Sequence, residues 1–143
     1  MIVIDDKYDW AWTPADRSAI THVILHHAGE MYASPQDIHN RHIAQGRAGI
    51  PYHYYVRKDG KIFKGRPESK RGGHTAGLNG VSIGICFEGD FERELMPVAQ
   101  IISGRELVRD LRARYPGIIV MRHSDADASP CPGKYFPFSA FFD

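Results

Sequence analysis

Short apolar runs, several rich in β-branched or aromatic residues, alternate with two stretches of helical spacing. Thr21–His26 reads as a buried strand through Val23, Ile24 and Leu25, and it ends in the polar pair His26-His27. Ser34-Pro35-Gln36-Asp37 then predicts a helix start: a capping serine, a proline at the first helical position and an acid in the first turn. That helix is expected to reach about Gln45, with Ile38, His42 and Gln45 along one face. The aromatic run Tyr52–Arg57 suits a strand, Asp59-Gly60 a hairpin turn and Ile62–Lys64 the return strand. Residues 65–79 are too glycine-rich for a regular element, and Ser82–Glu88 predicts another strand.

From Pro97 to Tyr115, Ile101, Val108, Leu111 and Tyr115 recur at helical spacing until Pro116-Gly117 ends the helix. Gly104 costs that helix about 1 kcal/mol unless a neighbouring element packs close to it. Ile118–Met121 reads as a second buried strand running into Arg122-His123, and the aromatic tail 134–143 as a short helix or turn closing the core. The segment from Tyr8 to Arg17 reads as irregular and pinned by its aromatics. Strands alternating with helices predict an α/β fold: a single domain over 1–143, with one central mixed sheet flanked by helices.

Composition narrows the chemistry. Hydrophobic residues at 43% and charged residues at 24% are globular values. A net charge of +1 gives no field to collect nucleic acid. Two cysteines cannot make a disulfide framework, while eight histidines direct attention to metal or acid–base chemistry. The first residues carry no basic segment followed by a long apolar one, which predicts synthesis in the cytoplasm without a signal peptide. No apolar run approaches the ~20 residues that span a bilayer, so membrane insertion is not expected.

Two apolar strands end in histidine, at His26 and His123, and Cys131 follows in Pro130-Cys131-Pro132-Gly133. Imidazole plus thiolate is a natural zinc set, and three ligands leave a coordination position open. Taken singly, each histidine reads better as a hydrogen-bonded or surface residue than as a ligand, and Cys131 also reads as a small buried hydrophobe. A Cys86–Cys131 disulfide is a further reading, disfavoured by a cytoplasmic origin.

Five motifs occur in one order: Val23-Ile24-Leu25-His26-His27, Tyr52–Gly60, Gly73-His74-Thr75-Ala76-Gly77, Ser82-Ile83-Gly84-Ile85, and Arg122-His123 with Pro130–Gly133. Together, over about residues 20–138, they resemble the zinc-dependent N-acetylmuramoyl-L-alanine amidases of the phage-lysozyme and peptidoglycan-recognition-protein type. The resemblance is strongest to the catalytic domain of a phage or prophage endolysin. It implies that Zn²⁺ is held by His26, His123 and Cys131. It implies catalytic roles for Tyr52 and for Ser129, which stands where phage lysozymes of this type carry a lysine. His74, with Thr75 beside it, would contact substrate. A second branch of the family uses a glutamate base at the position of Cys86. Glu88 lies two residues on, so strand alternation makes it the candidate base here.

The implied activity is hydrolysis of the amide between N-acetylmuramic acid and L-alanine in bacterial peptidoglycan. The enzyme would be a monomer, acting on the wall after release. Such enzymes often carry a separate wall-binding domain, and none is visible in this sequence. The alternatives are a non-catalytic peptidoglycan-binding module, or a zinc peptidase cutting another bond of the stem peptide. A structural or nucleic-acid-binding zinc protein would need a closing fourth ligand and more positive charge. His27 and His53 are expected to be packing or hydrogen-bonded residues, His53 on the strand face opposite Tyr52. His22, His39 and His42 carry no assigned role.

Overall fold

The computed structural model describes residues 1–142. Six strands form one mixed sheet: β1 (Val3–Ile4), β2 (His22–His27), β3 (Tyr54–Val56), β4 (Ile62–Lys64), β5 (Ser82–Phe87) and β6 (Ile119–Arg122). Their order is β1-β4-β3-β5-β2-β6. The pair β3–β4 is the antiparallel hairpin that Asp59-Gly60 predicts, and Gly60 turns at φ 90°. All other neighbours are parallel.

Central parallel strands are covered on both faces, and β5 is buried along its whole length. On one face Val23, Leu25, Ile83, Ile85 and Phe87 pack with Leu107, Val108 and Leu111 of helix α2 (Val98–Arg114). The tail closes this side with a 3₁₀ turn (Phe138–Phe141), through Phe136 and Phe141. On the other face Tyr55 and Cys86 meet Ile38 of α1 (Pro35–Ala44), joined by Tyr8 and Trp10 from the irregular N-terminal segment. Ser34 caps α1 as expected. Its hydroxyl accepts from the Asp37 amide at 3.0 Å, and the Asp37 carboxylate accepts from the Ser34 amide at 2.9 Å.

Three expectations need correction. The buried face of α1 runs through Pro35, Ile38 and His39, not toward Gln45. His39 is held by the Asp9 carbonyl and the Ile50 amide, and it packs between Tyr8 and Trp10. The β6 strand is an edge strand rather than a buried one, with Ile119 54% exposed. Tyr52 and His53 precede β3, so strict alternation does not apply to them. Both rings lie near His74, with centroids 6.1 and 5.9 Å away.

Gly104 has the close neighbour its helix position calls for. A Cβ there would lie 2.6 Å from ring atoms of both Phe87 and Phe141. Gly104→Ala is therefore expected to destabilise the protein by about 1–3 kcal/mol by overpacking, reversing the ~1 kcal/mol gain of helix propensity. Denaturant unfolding decides the sign, and a stabilised variant would refute the packing argument.

Candidate metal centre

In open α/β sheets, sites form where the carboxyl ends of parallel strands open into a crevice. The β2–β6 register pairs Leu25 with Arg122, which carries His123 to the side of His26. The two imidazole centroids are 4.8 Å apart. His123 opens a single helical turn, α3 (His123–Ala126), and the chain then returns Cys131 to the same place. One donor atom from each of His26, His123 and Cys131 lies within 4.8 Å of the others.

The donor atoms fit zinc. Cys131 Sγ is 3.7 Å from His26 Nδ1. A tetrahedral ion with Zn–S and Zn–N bonds of about 2.3 and 2.05 Å separates two such ligands by about 3.6 Å. Each imidazole has its other nitrogen engaged, the usual way a metal-ligating ring is oriented. His123 Nε2 lies 2.9 Å from Asp127 Oδ2, and His26 Nε2 lies 2.8 Å from His74 Nδ1. With Nδ1 of His26 free for a metal, Nε2–H donates to His74 Nδ1. His74 Nε2 then donates to Ser82 Oγ, 3.3 Å away, and the Ser82 hydroxyl donates to the Leu78 carbonyl at 2.7 Å. Thr75 Oγ1 supports this chain, 3.0 Å from His74 Nδ1 and 3.4 Å from His26 Nε2.

Electrostatics agree. Burial, reinforced by the nearby charges of His123 and His27, holds the His26 pKa well below its ordinary value. The ring is therefore a neutral ligand at pH 7. Burial pushes the Cys131 thiol up to about 12, against the pull of the His27 amide, which donates to Sγ at 3.4 Å. A metal dication counters that burial penalty and favours thiolate. Tyr52 has its ring 5.1 Å from that of His26. Burial, then the proximity of Cys86 and Cys131, raises its pKa well above the ordinary value, so its hydroxyl remains a donor.

Several sequence-predicted residues take different places. His74 and Thr75 are buried and lie behind His26, so they hold the ring rather than line an open groove. Ser129 Oγ accepts from the Cys131 amide at 3.1 Å, shaping the turn that delivers the thiol. Glu88 is not poised as a base. Its carboxylate accepts from Arg57 Nη2 at 2.8 Å, Arg57 Nε at 3.2 Å, the Lys58 amide at 2.9 Å and the Ala33 amide at 3.0 Å. Against a burial penalty, those donors lower its pKa. Cys86 and Cys131 are both free thiols, so the disulfide reading fails. His27 takes the packing role, accepting from the Phe91 amide. His53 is buried and accepts from the Gly84 amide.

The sequence alone assigns no site role to Asp127 or to Ser82, although Ser82 opens one of the five motifs. The His123-to-Asp127 spacing of four, one helical turn, is the signal for the first. For the second, Ser82, Gly84 and Cys86 alternate as small residues on one face of β5, leaving room for a ring. A Cβ at Gly84 would lie 2.5 Å from His74. His74→Ala is expected to weaken zinc binding about 10–100-fold with the fold retained. Competition against a chromogenic chelator, with circular dichroism as the control, measures this, and unchanged affinity would remove His74 from the metal site.

The same residues lie within a region related to known proteins. The family profile described as N-acetylmuramoyl-L-alanine amidase matches residues 16–134. The endolysin of Klebsiella phage KP32 is 31% identical, over 68% of this chain and 68% of its own length. Peptidoglycan-recognition protein SC1a of Drosophila melanogaster is 26% identical over 94% of this chain and 82% of its own. Among solved structures, the N-acetylmuramoyl-L-alanine amidase LysC from Clostridium intestinale URNW superposes with a TM-score of 0.95 at 35% identity. It covers 99% of this chain and 95% of its own. With its fold and most of its length in agreement, the chain belongs to the N-acetylmuramoyl-L-alanine amidase family.

Proposed function

We propose that this chain hydrolyses the amide joining N-acetylmuramic acid to L-alanine in bacterial peptidoglycan, as a lytic enzyme that holds zinc on His26, His123 and Cys131. The observation that carries the reading is the convergence of those three donors, each held by neighbouring groups, in a chain of the amidase family. When bound, zinc supplies Lewis acidity toward the amide carbonyl and lowers the pKa of water to about 7.

The protein's residues prepare that chemistry. His74 and Asp127 fix the imidazole orientations, so the metal-facing nitrogens need no reorganisation. The Tyr52 hydroxyl, kept protonated by burial and hydrogen-bonded with the buried Cys86 thiol, would have to turn from that partner to donate to the negative charge that develops on the carbonyl oxygen. Ser129 keeps Cys131 in position and retains its own hydroxyl proton as a second donor.

The chain is made in the cytoplasm and acts, as a monomer, on the wall after release. Relatives named endolysins support action on the wall. Among the described residues no helix is long and apolar enough to cross a membrane. Similarity to a peptidoglycan-recognition protein keeps a second reading in view, binding without cleavage.

Digestion of purified peptidoglycan, with and without a zinc chelator, tests these readings by product mass. Chelator-sensitive release of intact stem peptides with a free L-alanine amine is the expected result. New ends inside the peptide would move the reaction to another bond. Tight binding without cleavage, zinc supplied, would overturn the enzyme reading.

A further inference from the structure

A cavity of about 310 Å³ lies between the segment joining α1 to β3, the N-terminal segment and the loop after β4. None of the candidate metal-site residues lines it. Its apolar wall is Trp12, Pro14, Ala48 and Pro51, and its charged groups are Arg47, Arg66 and Arg71. Among the described residues, none of these three arginines is within salt-bridge range of a carboxylate.

Arg66 makes this more than a set of surface cations. It is only 7% exposed. Its Nε donates to the Ile50 carbonyl at 2.9 Å, its Nη1 to the Arg71 carbonyl at 3.0 Å, and the guanidinium lies over Trp10. Those contacts fix the plane of the fork. Among the described residues no acceptor meets Nη2. The residue facing it is Gly73, where a Cβ would stand 3.1 Å from Nη2, so glycine keeps the approach open. Burial, with Arg71 beside it, lowers the Arg66 pKa to about 10, the mark of a cation without a counter-ion.

We propose that this cavity is an oxyanion-binding site, separate from the metal centre, that takes a phosphate group. A carboxylate has two oxygens, which a single guanidinium fork can satisfy. A phosphate presents acceptors in several directions, which suits three guanidinium groups arriving from different segments. The cavity is larger than a bare ion requires, and Trp12, 54% exposed, offers a flat apolar face for a sugar or polyol body. The phosphate could be borne on a wall polymer or be free in solution, and the choice of probe separates the two.

The test is calorimetric titration of the zinc-loaded protein at low ionic strength with glycerol phosphate, inorganic phosphate and acetate. Saturable binding of a phosphate probe is expected. It should persist in Cys131→Ala, which removes a metal ligand. It should weaken by about 10-fold or more in the Arg47→Gln/Arg71→Gln double variant, whose two side chains are exposed and replaceable without disturbing the core. Glycerol phosphate binding more tightly than inorganic phosphate supports a polymer-borne ester, and the reverse order supports free phosphate; either order keeps the site. The proposal is overturned by acetate binding as tightly as the phosphate probes, by equal affinity in the double variant, by loss of binding in Cys131→Ala, or by no saturable heat. The readout needs no turnover, so it stands or falls apart from the amidase reading.

Discussion

Cys131→Ala should lose both its metal and its activity. Removing the only thiolate of the cluster leaves two imidazoles for the ion, and the ion supplies several kcal/mol of charge stabilisation in an amide hydrolysis of this kind. The expected fall in kcat/KM is about 10³-fold or more, measured as new L-alanine amines released from purified peptidoglycan. Zinc retained after desalting should drop from about one ion per chain to a small fraction of that. The two readouts must fall together. A variant that keeps its zinc and its rate would show that the thiol is not a ligand.

Glu88→Gln should separate stability from catalysis in the opposite sense. The carboxylate side chain is 4% exposed and gathers Arg57 and two backbone amides. A neutral amide cannot accept from all of them, because its NH₂ group faces a donor. Leaving part of a buried ion pair unmatched costs about 2–4 kcal/mol, visible as a lower denaturant midpoint. The rate per folded molecule should stay within a few-fold of wild type, because the carboxylate is bound to Arg57 and not held ready for a proton. A drop of about 10²-fold or more at unchanged stability would restore Glu88 as a general base.

Strand alternation is a rule about regular strands, and its reach explains which site assignments were legible. The candidate donors His26 and His123 could be brought together because each ends an apolar run that becomes a parallel strand, and neighbouring strand ends share a crevice. Glu88 lies just past the end of β5, where the carboxylate meets Arg57 from the end of β3. Its chemistry is set by partners 30 to 55 positions away, a pairing no local pattern encodes. His74 was visible as a histidine in a glycine-rich loop, but its direction was not. The loop folds back over β5, and only the small side of that strand, Ser82 and Gly84, hints that a ring comes to rest there. The helices were well marked by a cap at Ser34 and a stop at Pro116-Gly117, whereas β1 is too short for any pattern.

The edge strand β6 has a single partner in the sheet, β2. Two of the three candidate metal donors come from the chain just beyond β6, and the third from the end of β2. An ion on those donors therefore acts as a rivet through the sheet margin, joining chain positions 105 residues apart. A free sheet margin is where foreign strands attach and aggregation begins. An ion held there would thus also guard the fold against self-association, and storage with a chelator would cost solubility as well as rate.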